Sequence, residues 1–156
     1  EALEEGDYMK RVLFALCSIF FVILLTACTG TDPDESLVEV EVDRIQQTSL
    51  APYLGTISFD MKDTRREGDY YYLNYTIMAN AKDEFAELSL AEINDVMKTS
   101  LNELGYEAFD CGAKRAKCTI YNIVVNVGGN KYEIGQFDKT VKMNGNPYEE
   151  EKEEDE

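Results

Sequence analysis

A well-capped amphipathic helix, flanked on both sides by strand patterns, restricts the fold of this chain more than any other feature. Ser89-Leu-Ala-Glu92 spells a capping box, with Leu88 and Ile93 placed as a hydrophobic staple around it. Leu90, Ile93, Met97, Leu101 and Leu104 recur at steps of three and four, which makes one apolar stripe. Glu92, Asp95, Lys98, Thr99 and Asn102 occupy the opposite face, and Gly105 supplies the stop. A helix with a single stripe must bury it against another element, so this one needs a sheet.

Strand patterns supply that sheet. From Gly55 to Lys62 the chain alternates, with Ile57, Phe59 and Met61 on one face and Ser58, Asp60 and Lys62 on the other. Asp63 to Asp69 reads as a polar loop. Tyr70 to Ala79 follows as a second strand, with Leu73, Tyr75 and Ile77 inward, completing a hairpin. Beyond the helix, Tyr106–Cys111 and Cys118–Val127 read as strands. Gly128-Gly129-Asn130 marks a tight turn into Lys131–Asp138, whose apolar residues are Tyr132, Ile134 and Phe137. Val141 and Met143 form a last short apolar pair before Asn144-Gly145-Asn146-Pro147. Val38, Val40 and Val42 alternate with acids, a pattern open to an N-terminal strand or an extended linker. The expected architecture is α+β: an antiparallel sheet with one amphipathic helix packed on a face, in the order β-β-α-β-β-β, over residues 49–146.

The chain opens very differently. Lys10 and Arg11 precede an apolar run from Val12 to Leu25, broken only by Ser18, which is the anatomy of a secretory signal peptide. A bilayer-spanning helix needs about 20 apolar residues, more than this run offers. Leu25-Thr26-Ala27-Cys28 closes it and resembles the lipobox of bacterial lipoproteins. That resemblance implies that Cys28 is fatty-acylated and that residues 9–27 are removed. The mature chain would then hang from the extracytoplasmic face of the cell membrane by its acyl groups. Thr29, rather than an Asp after the cysteine, leaves an outer membrane open as well. Residues 1–8 carry Glu1, Glu4, Glu5 and Asp7, where a signal peptide wants positive charge. We expect translation to start at Met9, with residues 1–8 an upstream extension whose Glu4-Glu5-Gly6 codons can spell a ribosome-binding sequence.

Charge is distributed unevenly. The formal net charge is −16, yet Arg44 to Tyr148 holds 14 acids against 12 bases. Residues 28–43 hold six acids and no base, and residues 149–156 hold seven acids and Lys152. Runs of this kind stay solvated because they cannot bury enough apolar surface to offset the entropy of ordering. Residues 28–48 therefore read as the lipidated cysteine and an acidic linker, and residues 147–156 as an acidic disordered tail. Nucleic acid, which calls for a basic footprint, is not an expected partner.

Two cysteines remain for the folded part. Cys111 and Cys118 flank Gly112-Ala-Lys-Arg-Ala-Lys117, and outside the cytoplasm such a pair is most simply a disulfide. Free thiols are the alternative, while two thiolates with no His anywhere fall short of a zinc site. The absence of His also removes Ser-His-Asp and Cys-His nucleophile activation and the usual general base near neutrality. Carboxylate chemistry on a sugar survives in principle through Asp60, Asp63, Glu67 and Asp69, but these alternate with bases in a loop. Asn74-Tyr75-Thr76 matches a glycosylation sequon but falls mid-strand. No cofactor, no metal and no catalytic residue is expected.

Two stretches stand out as binding surfaces. Tyr70 and Tyr72 should point away from the Leu73 face, and an outward tyrosine offers an apolar ring with a polar tip. Cross-strand packing is the plainer use of such rings. Lys114, Arg115 and Lys117 form a basic knot inside the cysteine-bounded loop, suited to an anionic polymer or left to solvent. The expectation is a small non-catalytic binding or inhibitory domain facing an unknown protein or envelope polymer. A structural accessory role in an envelope complex comes second and a small hydrolase third.

Overall fold

The computed structural model describes residues 32–105 and 107–149. The expected signal peptide, Cys28, Tyr106 and residues 150–156 of the expected tail lie outside the described residues.

The folded unit begins at Pro33, well before residue 49. Helix α1 spans Glu35–Asp43, capped by Asp34, whose carboxylate accepts the Ser36 N–H at 3.0 Å. The Ser36 hydroxyl, and then this N–H, hold the Asp34 carboxyl below the usual carboxylate range. Neither a strand nor an extended linker forms here. Residues 38 and 42 also stand one helical turn apart, and Val38 and Val42 are buried while Val40 is exposed. The acids Glu39 and Asp43 face outward, so the charge run coats a helix that belongs to the core. A 3-10 turn, Arg44–Gln47, adds buried Ile45.

A second 3-10 turn, Ala51–Tyr53, leads into strand β1 (Leu54–Glu67), which pairs antiparallel with β2 (Tyr70–Ala81). The stretch expected as a polar loop is thus mostly strand, with Arg65 opposite Tyr72 and Glu67 opposite Tyr70. Gly68, at φ 62°, takes the first place of the two-residue turn, which suits the right-handed strand twist and lets the ladder run to its tip. A register shift between Met61 and Asp63 marks a bulge at Lys62.

From β2 the chain passes through a short helix α2 (Asp83–Ala86) and then α3 (Leu90–Leu104). The capping box is present in both directions: Glu92 takes the Ser89 N–H at 2.8 Å and Ser89 Oγ takes the Glu92 N–H at 3.3 Å. Ile93, Met97, Leu101 and Leu104 are buried as expected, whereas Leu90 in the first turn is exposed. Ser100 joins the buried stripe. Its hydroxyl accepts the Leu50 N–H at 3.0 Å and donates to the Val96 carbonyl at 2.8 Å, tying the 48–50 turn to the helix.

This helical crossover makes the sheet mixed, not antiparallel. Strand β3 (Ala116–Val127) pairs parallel with β2, because a connection of this length returns the chain to the end from which β2 began. β4 (Asn130–Gly135), β5 (Lys142–Met143) and β6 (Asn146–Pro147) then add antiparallel, giving six strands in sequence order. The expected strand Tyr106–Cys111 reduces to one bridge, Phe109 with Cys118. Pairing stops there because Asp110 turns the chain by accepting the Gly112 N–H, and the Cys111 carbonyl is taken by the Asp34 N–H at 2.7 Å. At the other end, Asn146–Pro147 pairs with β5 and Tyr148 packs against the core, so the tail does not begin at residue 147.

One face of the sheet, with Leu73, Tyr75, Ile77, Ile123, Val125, Tyr132 and Ile134, forms a single core with Val38, Val42, Phe85, Met97 and Leu101. Val124, on the opposite face, is buried but stands outside that core.

Candidate binding surface

Parallel pairing of β2 with β3 sets the two candidate stretches side by side. Tyr71 pairs with Ala116 and Tyr72 with Lys117. The Tyr71 N–H donates to the Arg115 carbonyl at 2.9 Å, so the cysteine-bounded loop is attached to the start of the tyrosine strand. A disulfide joins Cys111 and Cys118, with Cα atoms 5.8 Å apart. Together they fix where Lys114, Arg115 and Lys117 stand, and all three are exposed.

The tyrosines are not bare. Lys117 Nζ lies 5.7 Å from the Tyr70 ring centre and the Arg66 guanidinium 5.8 Å from that of Tyr71. Arg65 sits between two rings, 5.0 Å from Tyr72 and 5.4 Å from Phe137. Phe137 is 62% exposed and leans on Tyr121 at 5.5 Å between centroids. A cation over an aromatic face is attracted by the ring quadrupole, so each ring holds a charge in place. Glu67 lies 3.5 Å from Arg65 as an exposed partner.

A buried polar relay supports this surface. Thr119 Oγ1 donates to Asn74 Oδ1 at 2.7 Å and Asn74 Nδ2 donates to Asp63 at 2.6 Å, linking β3, β2 and β1. Asn74 is 5% exposed with both ends of its amide occupied, which removes the sequon as a surface feature. Tyr75 belongs to the core, and burial raises its phenol above the ordinary value, with the Glu35 carboxylate adding to the effect.

Arg65, Arg66 and Phe137 escaped the reading of the sequence. The arginines fell in a stretch taken for a loop. Phe137 reads only as an apolar residue of a strand Lys131–Asp138; β4 ends at Gly135, and the ring lies beyond it against Tyr121 and Arg65. The four carboxylates considered for hydrolysis do not converge. Asp60 pairs with Lys62 at 3.2 Å, Asp63 serves Asn74, Glu67 sits beside Arg65, and Asp69 occupies the turn. Among the described residues, no three His, Cys, Asp or Glu group to hold a metal, and no helix is long and apolar enough to cross a membrane.

Elsewhere, a groove of about 720 Å³ opens between the start of α3 and the β4–β6 end, lined by Leu90, Ile93, Tyr132, Val141, Met143 and Tyr148. It accounts for the exposure of Leu90.

No protein-family model, curated protein or solved structure matches this chain.

Proposed function

We propose that this protein is a lipid-anchored extracytoplasmic lipoprotein of bacteria whose small domain is a non-catalytic binding or inhibitory module. Its contact surface is the sheet end built from Tyr70, Tyr72, Arg65, Lys117 and the Lys114–Arg115 turn. One observation carries the reading: the parallel register between β2 and β3 merges the tyrosine strand and the basic loop into one exposed surface. The Leu25-Thr26-Ala27-Cys28 sequence supports the anchor, and the partner is a protein or polymer of the cell envelope.

Two experiments test the two halves of the proposal. Cys28→Ala should leave the protein unlipidated, so that it shifts in gel mobility and leaves the fraction in which the native protein is found; an unchanged distribution and mobility removes the anchor. Photo-crosslinking residues placed at Tyr70 and at Lys117 in intact cells should capture the same partner, while one at Glu84 on α2 should not. Equal capture from all three positions, or none from the sheet end, removes the contact surface.

A further inference from the structure

From the way each ring is occupied, we propose that the sheet end binds a linear phosphodiester polymer, and that its tyrosines act as pedestals for cations and not as the contact itself. This rests on the reading of that end as a contact surface and names its partner. Tyr70, Tyr71 and Tyr72 each have a cation of their own chain over one face of the ring, so a sugar stacking on that face would have to displace it. What the surface presents outward is the charge. Residues 60–69 and 114–117 hold six cations (Lys62, Arg65, Arg66, Lys114, Arg115, Lys117) and four acids (Asp60, Asp63, Glu67, Asp69), with Lys62 paired to Asp60, on a chain whose net charge is −16. One of those acids, Asp63, is already engaged by Asn74.

The placement of the cations selects a flexible polymer over a folded protein. Arg65 and Lys117 stand with Tyr70 and Tyr72, whereas Arg66 stands with Tyr71, and neighbouring residues of a strand face opposite sides of the sheet. The charges therefore run around the end of a hairpin. A flexible chain can follow them from one face to the other, while a flat protein surface meets one face only. Three of the six are arginines, whose planar forks suit the paired oxygens of a phosphate. A polycarboxylate would exchange like for like with Glu67, held beside Arg65 in the same molecule. A phosphodiester also stays fully ionised at acidic pH.

Titration of the full chain with poly(glycerol phosphate) at a series of salt concentrations tests this. If three or four phosphates are neutralised, log K should fall against log salt with a slope of about −2 to −3. Arg65→Gln with Lys117→Gln should weaken binding about tenfold or more, as the loss of two charge-assisted contacts requires. Tyr70→Ala with Tyr72→Ala removes the rings that hold the cations and should weaken binding, and Tyr70→Phe with Tyr72→Phe, which keeps the rings, should weaken it less. Affinity should also hold between pH 7 and pH 5.

A slope near zero, or full affinity in the Gln pair, overturns the proposal. A loss in the Phe pair as large as in the Ala pair does the same, since the hydroxyls would then be the contact. Equal binding of polyglutamate or of anionic phospholipid vesicles overturns the choice of a phosphodiester polymer; oligothymidylate, itself a phosphodiester chain, should bind no tighter than poly(glycerol phosphate), and tighter binding overturns a polymer of the envelope as the partner. If poly(glycerol phosphate) fails to bind while Tyr70 and Lys117 still crosslink in cells, the polymer is refuted and the contact surface stands. If crosslinking also fails, both fall.

Discussion

Strand β2 has two halves that live in different surroundings. From Leu73 to Ala79 its inward residues are buried against helices, with Ile77 and Ala79 fully enclosed. From Tyr70 to Tyr72 the strand keeps its pairing with β1, and from Tyr71 with β3 as well, yet Tyr70 and Tyr71 are 50% and 43% exposed. The ladder is continuous through both halves. What changes is the source of side-chain order, which is apolar burial in the first half and cross-strand ring–cation pairs in the second. Burial of a large apolar side chain is worth about 1.5–3 kcal/mol, and an exposed ring–cation pair about 0.5–1 kcal/mol. The covered half therefore supplies the stability, and the open half adds little to it.

The sharpest way to break this comparison is to uncover the covered half. A chain starting at residue 49 loses Val38, Val42 and Ile45, all buried in the core. At about 1.5–3 kcal/mol each, that is about 5 kcal/mol or more, comparable with the total stability of a small domain. Such a truncation should not show a cooperative thermal transition; an intact transition would show that α1 is dispensable.

Phe85→Ala should cost about 3–5 kcal/mol, because the ring is fully buried and meets Tyr53 and Tyr132 edge-on at 5.7 and 5.6 Å. Tyr70→Ala in the open half should cost only about 0.5–1 kcal/mol, the worth of its ring–cation pair. Urea midpoints of the two variants, measured together, give the contrast directly. Similar losses would mean that the open half is structural after all.

Reduction of the Cys111–Cys118 bond is the intermediate case. An eight-residue closure contributes about 2.5 kcal/mol in the loop-entropy account, so the thermal midpoint should drop by several degrees. Free-thiol titration before and after reduction checks that the bond was present. An unchanged midpoint would mean that the Tyr71–Arg115 backbone bond holds the loop without it.

The smallest effect belongs to the cap of α3. Ser89→Ala should cost about 1 kcal/mol. The Ser89 backbone N–H, then its hydroxyl, hold the Glu92 carboxyl below its ordinary value. A depressed folded-state pKa means that this contribution is present above the unfolded value, about 4.3. It is lost as pH falls through the lower folded value. Glu92→Gln should flatten stability against pH in that acid window and leave the neutral region with its cap partly intact; an unaltered acid profile would separate Glu92 from the cap.

How much of this was legible in the sequence follows from the range of each interaction. The α3 cap, its stop at Gly105 and the β3–β4 turn at Gly128-Gly129 could be read because each is decided within a few residues. The close Cys111–Cys118 pair belongs with them. The valines at 38, 40 and 42 misled for the opposite reason. Alternation over five residues also places 38 and 42 one turn apart, and only the core that covers them decides between the two periods.

For the candidate surface, local pattern was enough to name the outward tyrosines at 70 and 72 and the basic knot at 114–117, but not Arg65 or Phe137. That these are one surface was decided by tertiary structure alone. Tyr72 meets Lys117 because α2 and α3 carry the chain back to the start of β2, and a parallel register follows from that return. No local pattern encodes such a partner. Pairing across 45 residues has no periodicity of its own, and it is chosen by which strand edge stands free when the helices have buried their stripe.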